Sequence, residues 1–295
     1  MKPKILVILG PTATGKSDIA VKFAKKFNGE IVSADSRQVY KGMDLGSGKI
    51  TKKEMLGIPH YLLNVAKPNT FFSVSKYKKL AEKEIEKIIK KGKLPIIVGG
   101  TGFYIDSIVK NIELPHVLSN KKLRKVLEKK SAEKLFKILK KLSPSRAKSI
   151  DKYNKVRLIR AIEIAKALGT VPKIVEKPLK YDFVLIGIDM KDEKLKSRIA
   201  QRLEKRLKLG MIREVKNLHQ NGVSWKRLES FGLEYRNVAL FLQKKITREQ
   251  MIENLNKEIW QYVKRQRTWF KRNKNIKWFK TRSPLSYQWD HRRYV

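Results

Sequence analysis

The sequence predicts an α/β fold: a parallel sheet of phosphate-loop type, flanked by helices and carrying an all-helical insertion. Three observations carry that prediction. Short strand-forming runs at 5–9, 30–34, 94–98 and 183–188 are separated by helical stretches, the alternation that builds a parallel sheet. Residues 10–17, directly after the first run, read Gly-Pro-Thr-Ala-Thr-Gly-Lys-Ser, the pattern G-x-x-x-x-G-K-[ST] between a strand and a helix. Between 113 and 180 the composition turns to lysine-rich helical segments, and the strand pattern returns only afterwards.

Taken in order, Ile5–Leu9 is a buried strand, too short for a signal peptide or a membrane span. The phosphate loop follows, with Gly10, Pro11, Thr12, Ala13, Thr14, Gly15, Lys16 and Ser17 as the candidate diphosphate- or nucleotide-binding residues. Its glycines let backbone N–H groups turn toward phosphate, Lys16 adds a point charge, and the Ser17 hydroxyl suits Mg²⁺. A helix over 17–27 ends at Asn28-Gly29, and the second strand leaves Asp35 at its carboxyl end. Residues 41–72 are rich in glycine and proline and read as loop. From 75 to 91, Tyr77, Leu80, Ala81, Ile85, Ile88 and Ile89 share one helical face, and Gly92 stops the helix. The third strand runs into Gly99-Gly100-Thr101-Gly102, which puts Thr101 on the same sheet edge as the loop and Asp35. Residues 1–112 and 181–295 thus form the core with its C-terminal helices, and 113–180 the insertion. After 188 the pattern is helical. Its last long helix opens with the capping box Thr247-Arg-Glu-Gln250.

The formal net charge is +42, from 69 Lys and Arg against 27 Asp and Glu. Such an excess destabilises the compact state by self-repulsion and points to a polyanionic partner, unless it reflects only a lysine-rich composition. There is no cysteine, which excludes disulfides, thiolate metal sites and a cysteine nucleophile and suits a reducing cytosol. The four histidines, at 60, 116, 219 and 291, have no metal-ligand spacing.

Two features separate this chain from an ordinary nucleoside triphosphatase. The strand at 94–98 ends in glycine, where an Mg²⁺-holding acid would be expected. Asp35 sits in Ser33-Ala-Asp-Ser-Arg-Gln-Val-Tyr-Lys-Gly-Met-Asp44, where it reads as a general base, an Mg²⁺ ligand or a turn cap. The blocks GPTATGKS, SADSRQVYKGMDLGSGK, GIPHYLL, PIIVGGTGFY and KRQRTWFKR occur in that order. In this the chain resembles the tRNA dimethylallyltransferases, the tRNA isopentenyltransferase family, from Ile5 to about Lys280.

The resemblance implies transfer of a dimethylallyl group from dimethylallyl diphosphate to the exocyclic amine of an adenine. That adenine lies 3′ of the anticodon in tRNAs reading codons that begin with U. It casts residues 10–17 as the diphosphate grip with Mg²⁺ at Ser17, Asp35 as general base and Thr101 beside the reacting nucleotide. It further implies tRNA contacts at Asp35, Ser36, Arg37 and Gln38, at Thr101 and Arg124, and at Val156, Arg157, Leu158, Ile159 and Arg160. Arg198 and Arg202 match family arginines suited to diphosphate. Lys264, Arg265, Arg267, Lys271 and Arg272, interleaved with aromatics, suit an RNA backbone, whereas Trp269 at helical spacing reads as core. The chain departs from the family at Val156 (commonly Gln), at Asn64 (commonly acidic) and at Gly232-Leu-Glu-Tyr235. The expected protein is a cytoplasmic, monomeric enzyme with no membrane segment. A nucleotide kinase and a prenyltransferase of free adenine nucleotides are the competing readings. Affinity for an anticodon stem-loop is expected to fall steeply with salt through counterion release, as measured in a salt titration; a flat response would assign the charge to composition alone.

Overall fold

The computed structural model describes residues 2–280; His291 and the rest of 281–295 lie outside the described residues. The strands are β1 (Lys4–Leu9), β2 (Gly29–Ser33), β3 (His60–Tyr61), β4 (Leu94–Gly99), β5 (Ile112–Glu113), β6 (Val175–Glu176), β7 (Asp182–Asp189) and β8 (Lys277–Lys280). The helices are α1 (Lys16–Lys26), α2 (Lys52–Met55), α3 (Val74–Lys90), α4 (Gly102–Val109), α5 (Lys121–Glu128), α6 (Ala132–Leu142) and α7 (Pro144–Ala147). They continue with α8 (Lys155–Leu168), α9 (Asp192–Lys208), α10 (Met211–Gln220), α11 (Trp225–Ser230), α12 (Leu233–Leu242) and α13 (Arg248–Phe270).

Six strands form one sheet in the order β3-β2-β4-β1-β7-β8, with every neighbouring pair parallel. Because side chains alternate along a strand, β1 feeds two cores. Ile5, Val7 and Leu9 join a large layer with Tyr77, Ile105, Ile199 and Leu255. Leu6 and Ile8 join a smaller one with Ile19 and Phe23 of α1. The register sets Leu9 beside both Gly99 and Gly187, so β1 and β4 finish level and β7 runs on two residues to Asp189. Glycine is required there: a Cβ on Gly99 would lie 2.2 Å from the Ala34 carbonyl oxygen.

Two elements differ from the sequence expectation. Residues 277–280 were read as part of a helical tail, yet they form β8, pairing Ile186 with Lys277 and laying Trp278 against Gly187. The run Lys-Trp-Phe-Lys is too short and too charged for its pattern to signal a strand, and the open edge of β7 supplies the partner. Likewise the insertion is not helices alone, since β5 and β6 form a two-stranded antiparallel ribbon.

The chain divides into two compact units, residues 1–111 with 178–295, and residues 112–177. In the first, Asn111 Nδ2 donates to the Pro178 carbonyl at 2.8 Å, tying together the points where the chain leaves and returns. The second has its own core of Leu127, Leu135, Leu139, Leu158 and Ile162 between α5, α6 and α8.

Within the first unit a buried carboxylate locks the sheet edge. Glu30 accepts from Tyr61 Oη at 2.6 Å and pairs with Lys91 at 3.0 Å and Lys93 at 2.8 Å. Burial pushes its pKa up, but the bonds from Lys93, Tyr61 and Lys91 outweigh that and hold it at about 2. A depressed carboxylate stabilises the fold above its unfolded pKa and loses that contribution as pH falls through the folded value. The stability difference between wild type and Glu30→Gln is therefore expected to be constant above pH 4.5 and to shrink toward pH 2, read from denaturant midpoints.

Candidate active site

The phosphate loop leaves β1 through Gly10, whose φ of 139° favours glycine and whose added Cβ would lie 2.1 Å from the Ile188 carbonyl oxygen. Pro11, Ala13 and Thr14 are buried, and Thr14 Oγ1 donates to the Pro11 carbonyl at 2.9 Å. Gly15, at φ 87°, is the N-cap of α1 and no side chain caps that helix. Its first amides therefore point outward with the positive end of the helix dipole, a ready anion site. Ser17 stands exposed in the first turn.

Lys16 folds back onto the Pro11 carbonyl oxygen. Its pKa is drawn down to about 7, by burial first and by the positive charge of Arg202 second, against the pull of Asp35 and Asp189. The Arg198 guanidinium stands over Gly15, 3.7 Å from where a Cβ would lie, and that of Arg202 stands 3.1 Å from the same point on Gly48. Burial, then Arg206 and Arg198, lower the Arg202 pKa to about 10. A half-buried arginine at that value marks a concentrated positive field suited to a multiply charged anion.

Asp35 follows β2 on the same sheet edge. Its Oδ1 accepts from the backbone N–H of Arg37 at 2.8 Å and of Gln38 at 3.3 Å, so the turn-cap reading is realised and the carboxylate is held in one orientation. Thr101 Oγ1 accepts from the Ser36 N–H at 3.0 Å, which ties the loop after β4 to the loop after β2. The pKa of the Tyr262 phenol on α13 is raised, by burial first and then by the Asp35 charge.

An acid does end the strand beside β1, but on β7. Asp189 is engaged by Arg267, whose Nε donates to Oδ2 at 2.9 Å and whose second amino group donates to Oδ1 at 2.9 Å. Arg267 also reaches Asp192 at 2.6 Å and the Met190 carbonyl at 2.9 Å. The arginine expected on RNA is thus an internal counter-ion. Trp269 packs as expected, with its ring against Gly102 and its N–H donating to Asp106 Oδ2 at 2.9 Å.

The other RNA candidates divide by exposure. Arg37 Nε donates to the Phe231 carbonyl at 2.8 Å and its guanidinium lies 5.7 Å from the centre of that ring. Gln38 Nε2 donates to the Gly48 carbonyl at 3.4 Å. In the insertion, Arg124 makes a two-pronged pair with buried Glu163, at 2.8 and 2.6 Å. Leu158 and Ile159 are core residues, 0% and 7% exposed, so neither offers its side chain to a nucleic acid. Their apolar side chains complete the packing between α8 and its neighbours. Val156, 79% exposed, and Arg157 face solvent, while Arg160 donates to the Val117 carbonyl at 2.9 Å. Asn64 adopts φ 57° and accepts from Lys49 at 2.6 Å, an acceptor role that needs no carboxylate.

Sequence reasoning missed three positions. Gln266 links the phosphate loop to the glycine-rich loop, and the Tyr262 phenol feels the Asp35 charge. Glu214 accepts from the N–H groups of Asp44, Leu45 and Gly46 at 2.9, 2.6 and 3.0 Å. Gln266 lies within the block KRQRTWFKR, but its partners are 254 and 166 residues away; no local signal marks Glu214.

A phosphate grip and an oriented carboxylate on one edge of a parallel sheet define a group-transfer protein of the phosphate-loop class. The sequence profile of the IPP transferase family matches residues 38–273, and the chain belongs to that family. It is 40% identical over 283 residues to a tRNA dimethylallyltransferase of Acetivibrio thermocellus, covering 93% of this chain and 90% of the relative. Identity is 42% over 277 residues with a tRNA dimethylallyltransferase of Syntrophus aciditrophicus, covering 92% and 90%. Among solved structures, a tRNA isopentenylpyrophosphate transferase from Bacillus halodurans superposes with a TM-score of 0.71 at 36% identity, covering 95% and 90%. A eukaryotic dimethylallyltransferase acting on tRNA superposes at 0.78 with 26% identity, covering 94% and 74%.

An anion in the cradle favours charged Lys16 and raises its pKa from about 7. Binding of inorganic diphosphate above pH 7 is therefore expected to take up a proton, read as a dependence of calorimetric heat on buffer ionisation enthalpy. Lys16→Met should abolish that uptake and weaken binding.

Proposed function

We propose that this protein transfers a dimethylallyl group from dimethylallyl diphosphate to the exocyclic amine of the adenine 3′ of the anticodon in tRNA, a cytoplasmic reaction. The observation that carries the reading is the convergence of two chemistries on one sheet edge: a cationic diphosphate cradle and a carboxylate turned by its own loop. Membership of the IPP transferase family supports the substrate pair, and among the described residues no helix is long and apolar enough to cross a membrane.

In this reading the allylic C–O bond breaks, the electron pair leaves with diphosphate, and the amine nitrogen forms the new C–N bond. Negative charge grows on the leaving oxygens, where the α1 amides, Lys16, Arg198 and Arg202 attract it. Adenine's amine is a weak nucleophile until its proton departs. Asp35, with Oδ1 held by two amides, takes that proton through Oδ2 as the bond forms. Thr101, tied to the Ser36 N–H, borders the same carboxylate and helps hold the base.

Mg²⁺ fits the donor set. Among the described residues no cluster of three His, Asp or Glu forms an all-protein cage, and Ser17 offers an exposed hydroxyl beside the cradle. That matches an ion that takes most oxygen ligands from substrate phosphates and water. When bound, Mg²⁺ supplies further charge neutralisation on the departing diphosphate. Exposed Val156 and Arg157, with the lysines of α5, are the surface proposed to receive the anticodon arm.

Asp35→Asn keeps the two amide bonds and removes the base. It is expected to slow single-turnover transfer by about 10²–10⁴-fold with stem-loop affinity little changed. Unchanged transfer in a rapid-quench assay would remove Asp35 from this role.

A further inference from the structure

Gln266 is one of few buried polar side chains, 5% exposed, and it lies on α13, remote in sequence from both loops it touches. Its Oε1 accepts from the Thr12 N–H at 2.9 Å, inside the phosphate loop. Its Nε2 donates to the Gly100 carbonyl at 2.9 Å, one residue before Thr101. The fit is close, since a Cβ on Gly100 would lie 2.3 Å from Nε2. The next residue, Thr101, accepts through Oγ1 from the Ser36 N–H beside Asp35. A continuous set of hydrogen bonds thus runs from the cradle through Gln266 and Gly100-Thr101 to the loop of the proposed base.

We infer that Gln266 is a positioning residue, which sets the separation between the diphosphate cradle and the Asp35–Thr101 pair. This inference rests on the transfer reaction proposed above. The chemistry of the site demands an amide. Thr12 presents a donor and Gly100 an acceptor, and only a side chain with one of each satisfies both. A carboxylate would face the Gly100 carbonyl with no proton to donate, and an apolar side chain would orphan two buried backbone groups. The link also commits the Thr12 N–H to the protein, leaving the amides from Ala13 to Ser17 for the anion. Bringing a donor carbon and a nucleophile to bonding distance is sensitive to such a link, because a displacement of about 1 Å costs on the order of 10²-fold in rate.

The test compares wild type, Gln266→Glu and Gln266→Met with Val263→Ala, a buried apolar change on α13 that removes no hydrogen bond. Single-turnover transfer to an anticodon stem-loop, calorimetric affinity for inorganic diphosphate and Tm are measured for each. Both Gln266 variants should lose about 10–100-fold in transfer rate, while diphosphate and stem-loop affinities stay within about 3-fold, at temperatures well below melting. Val263→Ala should lower Tm and leave the rate unchanged. Rates that follow Tm across all three variants, or Gln266 variants of wild-type rate, would overturn the inference. A wild type that binds diphosphate yet transfers nothing would instead overturn the reaction on which it rests.

Discussion

Backbone crowding at the carboxyl edge of the sheet is the constraint on which the site depends. The loop after β1 crosses the end of β7 at Gly10, and the end of β4 crosses the chain after β2 at Gly99. At each crossing a single methyl group would lie 2.1 and 2.2 Å from a carbonyl oxygen, far inside van der Waals contact. Only glycine lets the strand ends close up, and closing them up brings the cradle and the Asp35 loop onto one surface. The parallel register supplies the rest, because strands that run the same way deliver all their following loops to the same edge.

On that edge the positive charges work against the isolated fold. Lys16, Arg198 and Arg202 crowd the loop, and burial first, then repulsion among these groups and Arg206, lowers the pKa values of Lys16 and Arg202. A bound polyanion would offset the repulsion and raise both values. Acids near the site are instead neutralised internally. Arg267 covers Asp189, and Glu214 is occupied by three backbone amides. Asp35 is aimed by its own turn.

Local pattern revealed much of this. The loop, its strand, Asp35 and Thr101 were legible because phosphate binding and strand ends carry short-range signals in glycine spacing and apolar runs. What was not legible depends on partners distant in the chain. Arg267 read as a nucleic-acid contact until Asp189, 78 residues away, proved to be its counter-ion. The resemblance places Arg124 on tRNA, but 39 residues away Glu163 engages its guanidinium. Leu158 and Ile159 belong to a segment whose exposed neighbours suit RNA, but their side chains face the core. Gln266 pairs with Thr12 across 254 residues, a separation that no periodicity reports. Strand β8 exists because β7 has an open edge, and its own four residues do not announce it.

The central claim is that the cradle grips a leaving diphosphate while carbon, not phosphorus, is transferred. The most direct measurement is the mass of an anticodon stem-loop after incubation with the protein, Mg²⁺ and dimethylallyl diphosphate, beside a matched reaction containing ATP. The account predicts a gain of one C5H8 unit on the adenine 3′ of the anticodon, with release of diphosphate, and no phosphorylated product from ATP. An unchanged stem-loop together with phosphate transferred from ATP would contradict it.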